Sequence, residues 1–202
     1  AAVDVEQVVR ARRMTRSFAD RSVAPDDLDV VLDAARRAPS AGNAQGLDLL
    51  VLEGPEQTGA YWDTTLPPER REGFRWQGLL RAPVLVIGWV EPDAWVRRYG
   101  EPDKVGTGLG EAPGSWSVPY WWVDGGMAMS QLQLVAIGRG LGVCFFGLFS
   151  HEDAVRRHFG VPEDRRALGT VAIGHPDEGD ETGRSAGRIR RNLDEVAHRG
   201  VW

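Results

Sequence analysis

The stretch PYWWVDGGMAMSQLQLVAIGRGLG, Pro119 to Gly142, decides the fold. It reads as a helix from Tyr120 to Arg139, closed by Gly140, because apolar residues recur at helical spacing on every side. Trp121, Gly125, Ala128, Leu132 and Val135 form one face, and Trp122, Met129, Gln133 and Ala136 form another. Val123, Met127, Leu134 and Ile137 fill the gap. A helix apolar all round is a buried helix. Gly125, Gly126, Ala128 and Ser130 are small enough for another backbone to come close. One small domain seldom covers every side of such a helix, so the pattern predicts a homodimer built on it. The alternative is an ordinary central helix of a monomer. The length would suit a membrane span, but Asp124, Gln131, Gln133 and the glycines do not.

Working outward, Val143 to Phe149 reads as a buried strand. Ser150 then caps a helix with Asp153 three residues on, and Gly160-Val161-Pro162 stops it. Gly169 to Gly174 is a further strand. On the other side, Pro83 to Val90 is a continuous apolar run, the pattern of a strand covered on both faces. Leu47 to Glu53 is another strand, and Pro55 to Trp76 is partly helical. Pro25 opens a helix with Asp26 and Asp27 behind it, and Leu28, Val31, Leu32 and Ala35 give its apolar face. Asp4 caps a first helix with Gln7 as box partner, and Val5, Val8 and Val9 set a stripe whose next position is Arg12. Four strands interleaved with helices predict an α/β or α+β layered domain. All 202 residues fit one domain.

The net charge of −5 argues against nucleic-acid binding. Lys104 is the only lysine, which leaves essentially no Schiff-base candidate. A single cysteine, Cys144, excludes an internal disulfide and a cysteine-rich metal site. Set inside an apolar strand, it reads as a packed core thiol. His151, His158, His175 and His198 lack metal-ligand spacing, so no metal is expected, and no G-x-S-x-G elbow is present. AAVDVEQ shows no basic and apolar leader pattern, so a reducing cytoplasm is the expected location.

Two arginine clusters stand out in this acidic chain. Arg10, Arg12, Arg13 and Arg16 lie in RARRMTRSF, and Arg184, Arg188, Arg190 and Arg191 lie in GRSAGRIRRN. An arginine continuing a buried stripe needs a partner. Nearby acids are few, so the first cluster is either an anion site or a solvated basic helix end. PSAGNAQ, Pro39 to Gln45, is a small-residue loop with exposed backbone N–H groups, but it lacks a P-loop lysine. Glu91 to Val118 shows little periodicity and reads as a flap. It carries Trp95, Tyr99 and Trp116, which suit a lid over a flat ligand. Gly106-Thr107-Gly108-Leu109-Gly110 within it follows no strand and is no dinucleotide fingerprint.

Taken together these stretches resemble the FMN-dependent nitroreductase-like flavoproteins. RRMTRSF, APSAGNAQ, GLGVCFFG and GRIRRNLDEV match family segments in order over nearly the whole chain. The resemblance implies an α+β fold, a mixed α/β sandwich with a central mixed sheet flanked by helices, and a dimer around the central helix with an FMN in each of two interface sites. It places Arg12, Arg13, Met14 and Arg16 on the flavin, with Met14 where serine is commoner. It places Pro39, Ser40, Ala41, Asn43 and Gln45 where the partner chain meets the flavin ring. Phe145, Phe146 and Gly147 fall beside that ring, and Arg188 and Arg190 fall on the phosphate. A bidentate guanidinium suits a phosphate dianion. The implied activity is ping-pong transfer from NAD(P)H through FMN to nitroaromatic, quinone or related small acceptors. Trp95, Tyr99, Trp116 and Trp121 are candidates for the substrate wall, with simple core packing as the equal alternative. Residues 177–202 form a C-terminal arm. Other chemistries within the resemblance are dehydrogenation of azoline or peptide-like substrates, dehalogenation and flavin fragmentation. A non-enzymatic flavin-binding dimer and a plain dimeric interaction protein are the readings from outside enzymology.

Overall fold

A computed structural model describes residues 4–202, apart from the side chain of Arg184. The sheet has four strands in the order β1 (Leu47–Glu53), β2 (Val84–Val90), β4 (Arg166–Gly174), β3 (Gly142–Phe146). All three pairings are antiparallel. The sheet is thus antiparallel and not mixed as expected, and the Met14–Val143 parallel contact is an isolated bridge at its edge.

The apolar run of β2 is buried at every position, as its sequence predicts. Side chains alternate across a strand, so β2 feeds two cores. Val84 and Val86 point to one side, with Leu28, Val31 and Ala35 of α2 (Pro25–Arg36) and Ala128, Met129 and Leu132 of α6 (Tyr120–Gly138). Leu85, Ile87 and Trp89 point to the other, with Tyr61 and Trp62 of α3 (Gly54–Thr65) and Val155 of α7 (Glu152–Phe159). The result is a helix–sheet–helix sandwich. At Gly125 of α6 an added Cβ would lie 2.6 Å from Leu168 Cδ2, so glycine there sets how closely α6 packs onto β4.

Several local expectations change. The α6 helix spans the predicted stretch, but within one chain only one side of it is covered. Trp121, Asp124, Gly125, Ala128, Met129, Leu132, Gln133 and Ala136 are buried. Trp122, Val123 and Met127 stay exposed. The flap is not structureless, because α5 (Pro92–Tyr99) opens with proline at its first turn and buries Ala94 and Trp95. The first helix, α1 (Val5–Ala11), buries no residue, and it ends before Arg12. Asp4 caps it by accepting from the Glu6 amide at 2.9 Å, without Gln7. Ser150 does not cap α7. It sits in a 3-10 turn, Phe149–His151, and α7 starts behind His151 with no side-chain cap. β3 stops at Phe146, short of the predicted Phe149, which turns with φ +46°. The remaining helix, α4 (Pro68–Arg71), is a single turn. Among the described residues no helix is long and apolar enough to cross a membrane.

Candidate cofactor site

The two arginine clusters meet. Residues 12–16 leave α1 as an extended segment tied to the edge of the sheet, where the Thr15 amide donates to the Val143 carbonyl at 2.8 Å. Residues 183–190 fold back over that segment. Arg12, Arg13, Met14 and Arg16 from one side, with Ser185, Arg188 and Arg190 from the other, line a cavity of about 450 Å³. Among the described residues Arg12, Arg16, Arg188 and Arg190 form no salt bridge with a carboxylate, whereas Arg13 pairs with Asp180. A cavity lined by four guanidinium groups without a carboxylate partner among the described residues attracts a multivalent anion, and the forked geometry of arginine suits phosphate oxygens.

Arg16 belongs to a second space as well. A cavity of about 420 Å³ is lined by Arg16, Trp62, Trp76, Phe145, Phe146 and Gly147, among others. The Arg16 guanidinium lies over the Trp76 ring, 5.0 Å from its centroid, and Arg75 lies over the same ring at 4.5 Å. Trp62 stacks on Phe146 with centroids 5.9 Å apart and planes 19° from parallel. This lining is broad and apolar, with one cation at the edge it shares with the anion cavity. Such a pair of spaces accepts a flat conjugated ring with an anionic tail. The Phe145 amide donates to the Met14 sulfur, a weak acceptor, at 3.4 Å. Cys144 is a core thiol here, and burial pushes its pKa up.

The loop from Pro39 to Gln45 lies elsewhere in the same chain. Pro39, Ser40 and Gln45 line a third cavity of about 640 Å³, together with Trp95 and Asp124. The loop is tightly specified. Gly42, Asn43 and Gln45 all have positive φ, and the Gln45 amide donates to Ser40 Oγ at 3.2 Å. Asp124 is buried on α6 and accepts from the Ala41 amide and from Trp95 Nε1, each at 2.7 Å. Arg98 Nε donates to the Gly42 carbonyl at 2.7 Å.

The four aromatics offered as a substrate wall form a core of their own. Trp95, Trp116 and Trp121 are buried together with Val90 and Ala94, and Tyr99 packs against them. Tyr99 and Trp116 meet edge to face at 4.7 Å. All four pack into this cluster and none lines the arginine or Phe145–Phe146 cavity of the same chain, while Trp95 also lines the cavity beside the Pro39–Gln45 loop. Sequence reasoning missed Asp124, although a lone acid on an apolar helix was its signal. It also missed Asp180, whose surroundings in a polar tail gave none. Among the described residues no cluster of His, Cys, Asp or Glu is placed to hold a metal ion.

A sequence model described as the Nitroreductase family matches residues 9–175. A chain from Archaeoglobus fulgidus that carries the name of an NADH dehydrogenase/NAD(P)H nitroreductase is 26% identical over 202 residues, covering 97% of each chain. The 4-nitrobenzoate reductase of a Nocardioides strain is 27% identical over 203 residues, covering 85% of this chain and 80% of its own. Among solved structures, the FMN complex of a nitroreductase-type protein from Exiguobacterium sibiricum superposes with a TM-score of 0.75. It covers 98% of both chains at 19% identity.

Proposed function

Because the chain belongs to the nitroreductase family, we propose that it is an FMN-dependent oxidoreductase that takes reducing equivalents from NAD(P)H. The acceptors are small conjugated molecules such as nitroaromatics and quinones, reduced in a ping-pong cycle. The observation that carries this reading is that residues 12–16 and 188–190 line one anion cavity, which shares Arg16 with an aromatic cavity. The residues fit the cofactor. Arg12, Arg16, Arg188 and Arg190 would hold the phosphate, and Phe145, Phe146 and Gly147 would back the ring. Bound there, FMN supplies the acceptance and release of hydride, which no side chain of this protein can perform. The chain's own part is to bind the phosphate, exclude water with Trp62 and Phe146, and set the ring's face. The names of its relatives support a nicotinamide reductant and nitroaromatic acceptors.

The active unit in this reading is a homodimer built on α6. Val123 and Met127 present an uncovered apolar face. Beside it Val5, Val8 and Val9 of α1 join Leu134 and Val135 of α6 around an apolar hollow of about 340 Å³. The Pro39–Gln45 loop does not reach the arginine cavity of its own chain, so Pro39, Ser40, Ala41, Asn43 and Gln45 would meet the flavin of a second copy.

A visible spectrum of the purified protein, followed by anaerobic NADH or NADPH, tests the proposal. The expected result is an oxidised-flavin spectrum that bleaches and then recovers when a quinone or nitroaromatic is added. Protein that stays colourless after incubation with FMN would refute the cofactor. A flavin spectrum unmoved by either nucleotide would refute the reductase.

A further inference from the structure

We infer that Asp180 is the positioning residue of the phosphate cavity, fixing the Arg12–Arg16 segment against the arm that carries Arg188 and Arg190. The inference rests on the cofactor reading above. Three contacts carry it. Asp180 Oδ1 accepts from the backbone amides of Arg16 at 2.7 Å and Ser17 at 2.9 Å. Oδ2 pairs with the Arg13 guanidinium. The Asp180 side chain is 1% exposed, while that of Arg13 is 48% exposed, so the carboxylate faces the segment and is shielded by it.

A carboxylate buried directly behind the wall of an arginine-lined cavity is electrostatically misplaced if that cavity binds an anion. Its negative charge repels phosphate and consumes one of the arginines. Its geometric effect runs the other way. The amides of Arg16 and Ser17 are pinned by one oxygen, which fixes the backbone at the point from which the Arg16 side chain departs. Arg16 then reaches the Trp76 ring and lines both cavities. The same turn is anchored again at Asp177. Its amide donates to the Ser17 carbonyl at 3.0 Å, and its Oδ2 accepts from Ser17 Oγ at 3.1 Å and Arg81 at 2.8 Å. Gly183 follows, packed so closely that an added Cβ would lie 2.8 Å from Arg16 Nη1. Asp180 is thus the clasp between two segments more than 160 residues apart.

The two effects of Asp180 predict opposite results, which makes the role measurable. The experiment compares FMN and riboflavin binding to the apoprotein for wild type, Asp180→Ala and Asp180→Asn, alongside amide hydrogen exchange of residues 12–18. Positioning predicts that Asp180→Ala weakens FMN at least tenfold and leaves riboflavin unchanged. The Arg16 and Ser17 amides lose protection while the sheet keeps its own. Asp180→Asn retains an acceptor oxygen for both amides and stays within about threefold of wild type. Tighter FMN binding by Asp180→Ala would overturn the inference in favour of simple repulsion. Equal weakening of FMN and riboflavin, or an Asp180→Asn variant as weak as Asp180→Ala, would also overturn it. If the wild type binds neither flavin, the cofactor reading falls by itself. Exchange then decides the role of Asp180: lost protection in Asp180→Ala upholds the clasp, and retained protection refutes it.

Discussion

The amide of Ala41 donates to the carboxylate of Asp124 at 2.7 Å, across 83 residues of sequence. That bond ties the Pro39–Gln45 loop to the first turns of α6, where the helix dipole favours an acid. The same oxygen takes the indole N–H of Trp95. One buried acid therefore fixes a loop, a helix and the aromatic cluster beneath them.

Asp124→Ala leaves two donors unpaired in the interior, at a cost of about 2–4 kcal/mol. For a domain of this size that lowers the melting temperature by about 5–15 °C. Asp124→Asn keeps an acceptor oxygen and loses less. Calorimetry of the three proteins checks the order, and equal melting temperatures would remove Asp124 from its structural role.

Arg188→Ala and Arg190→Ala should each weaken FMN by about 10- to 100-fold, the value of a charge-assisted hydrogen bond of roughly 1.5–3 kcal/mol. Riboflavin, which lacks the phosphate, serves as the control and should be little affected. Fluorescence titration of apoprotein reads both. Unchanged FMN affinity in the double variant would take these arginines out of the site.

Met127→Glu places a charge on the uncovered face of α6 and should yield a monomer at micromolar concentration. Light scattering gives the mass directly. FMN occupancy should fall with it, because the Pro39–Gln45 loop of a second copy would be absent. A dimeric Met127→Glu would show that the interface lies elsewhere.

Tyr61 is buried and its hydroxyl meets Thr170 Oγ1 at 2.9 Å. Burial pushes its pKa up to about 12 from an ordinary 10.0. The unfolded chain loses this proton first, so the native state is favoured fully below pH 10 and loses that advantage as pH rises toward 12. The loss amounts to about 3 kcal/mol. Tyr61→Phe should be less stable than wild type at pH 8, by about 1 kcal/mol for the lost hydrogen bond. The gap should close and then reverse at higher pH. Urea midpoints measured from pH 8 to above pH 11 follow it, and a gap independent of pH would contradict the buried hydroxyl.

The layers of this fold were legible where periodicity was strong. The Pro83–Val90 run, the Leu28–Ala35 face and the Pro119–Gly142 helix are each set by side-chain burial, which the sequence displays directly. The Glu91–Val118 stretch showed little periodicity because α5 is short and draws its order from Trp95 and Asp124, a pairing between distant residues. Ser150 looked like a cap, but Phe149 at positive φ turns the chain before α7 begins. In the site, the arginines were visible as composition, and their meeting follows from topology alone. Asp180 could not be found that way. A carboxylate matters here through two backbone amides, and backbone amides leave no mark on sequence.

The bridge from Phe18 to Pro176 closes the sheet edge just before residues 183–190 fold over residues 12–16. The arginine cavity is therefore among the later parts of the chain to form during synthesis. A nascent chain can pair β1, β2, β3 and β4 and bury both cores while Arg188 and Arg190 are still inside the ribosome. The cavity is complete only once residue 190 has emerged, and a chain cut short before residue 188 would keep the sheet while losing Arg188 and Arg190 from the cavity.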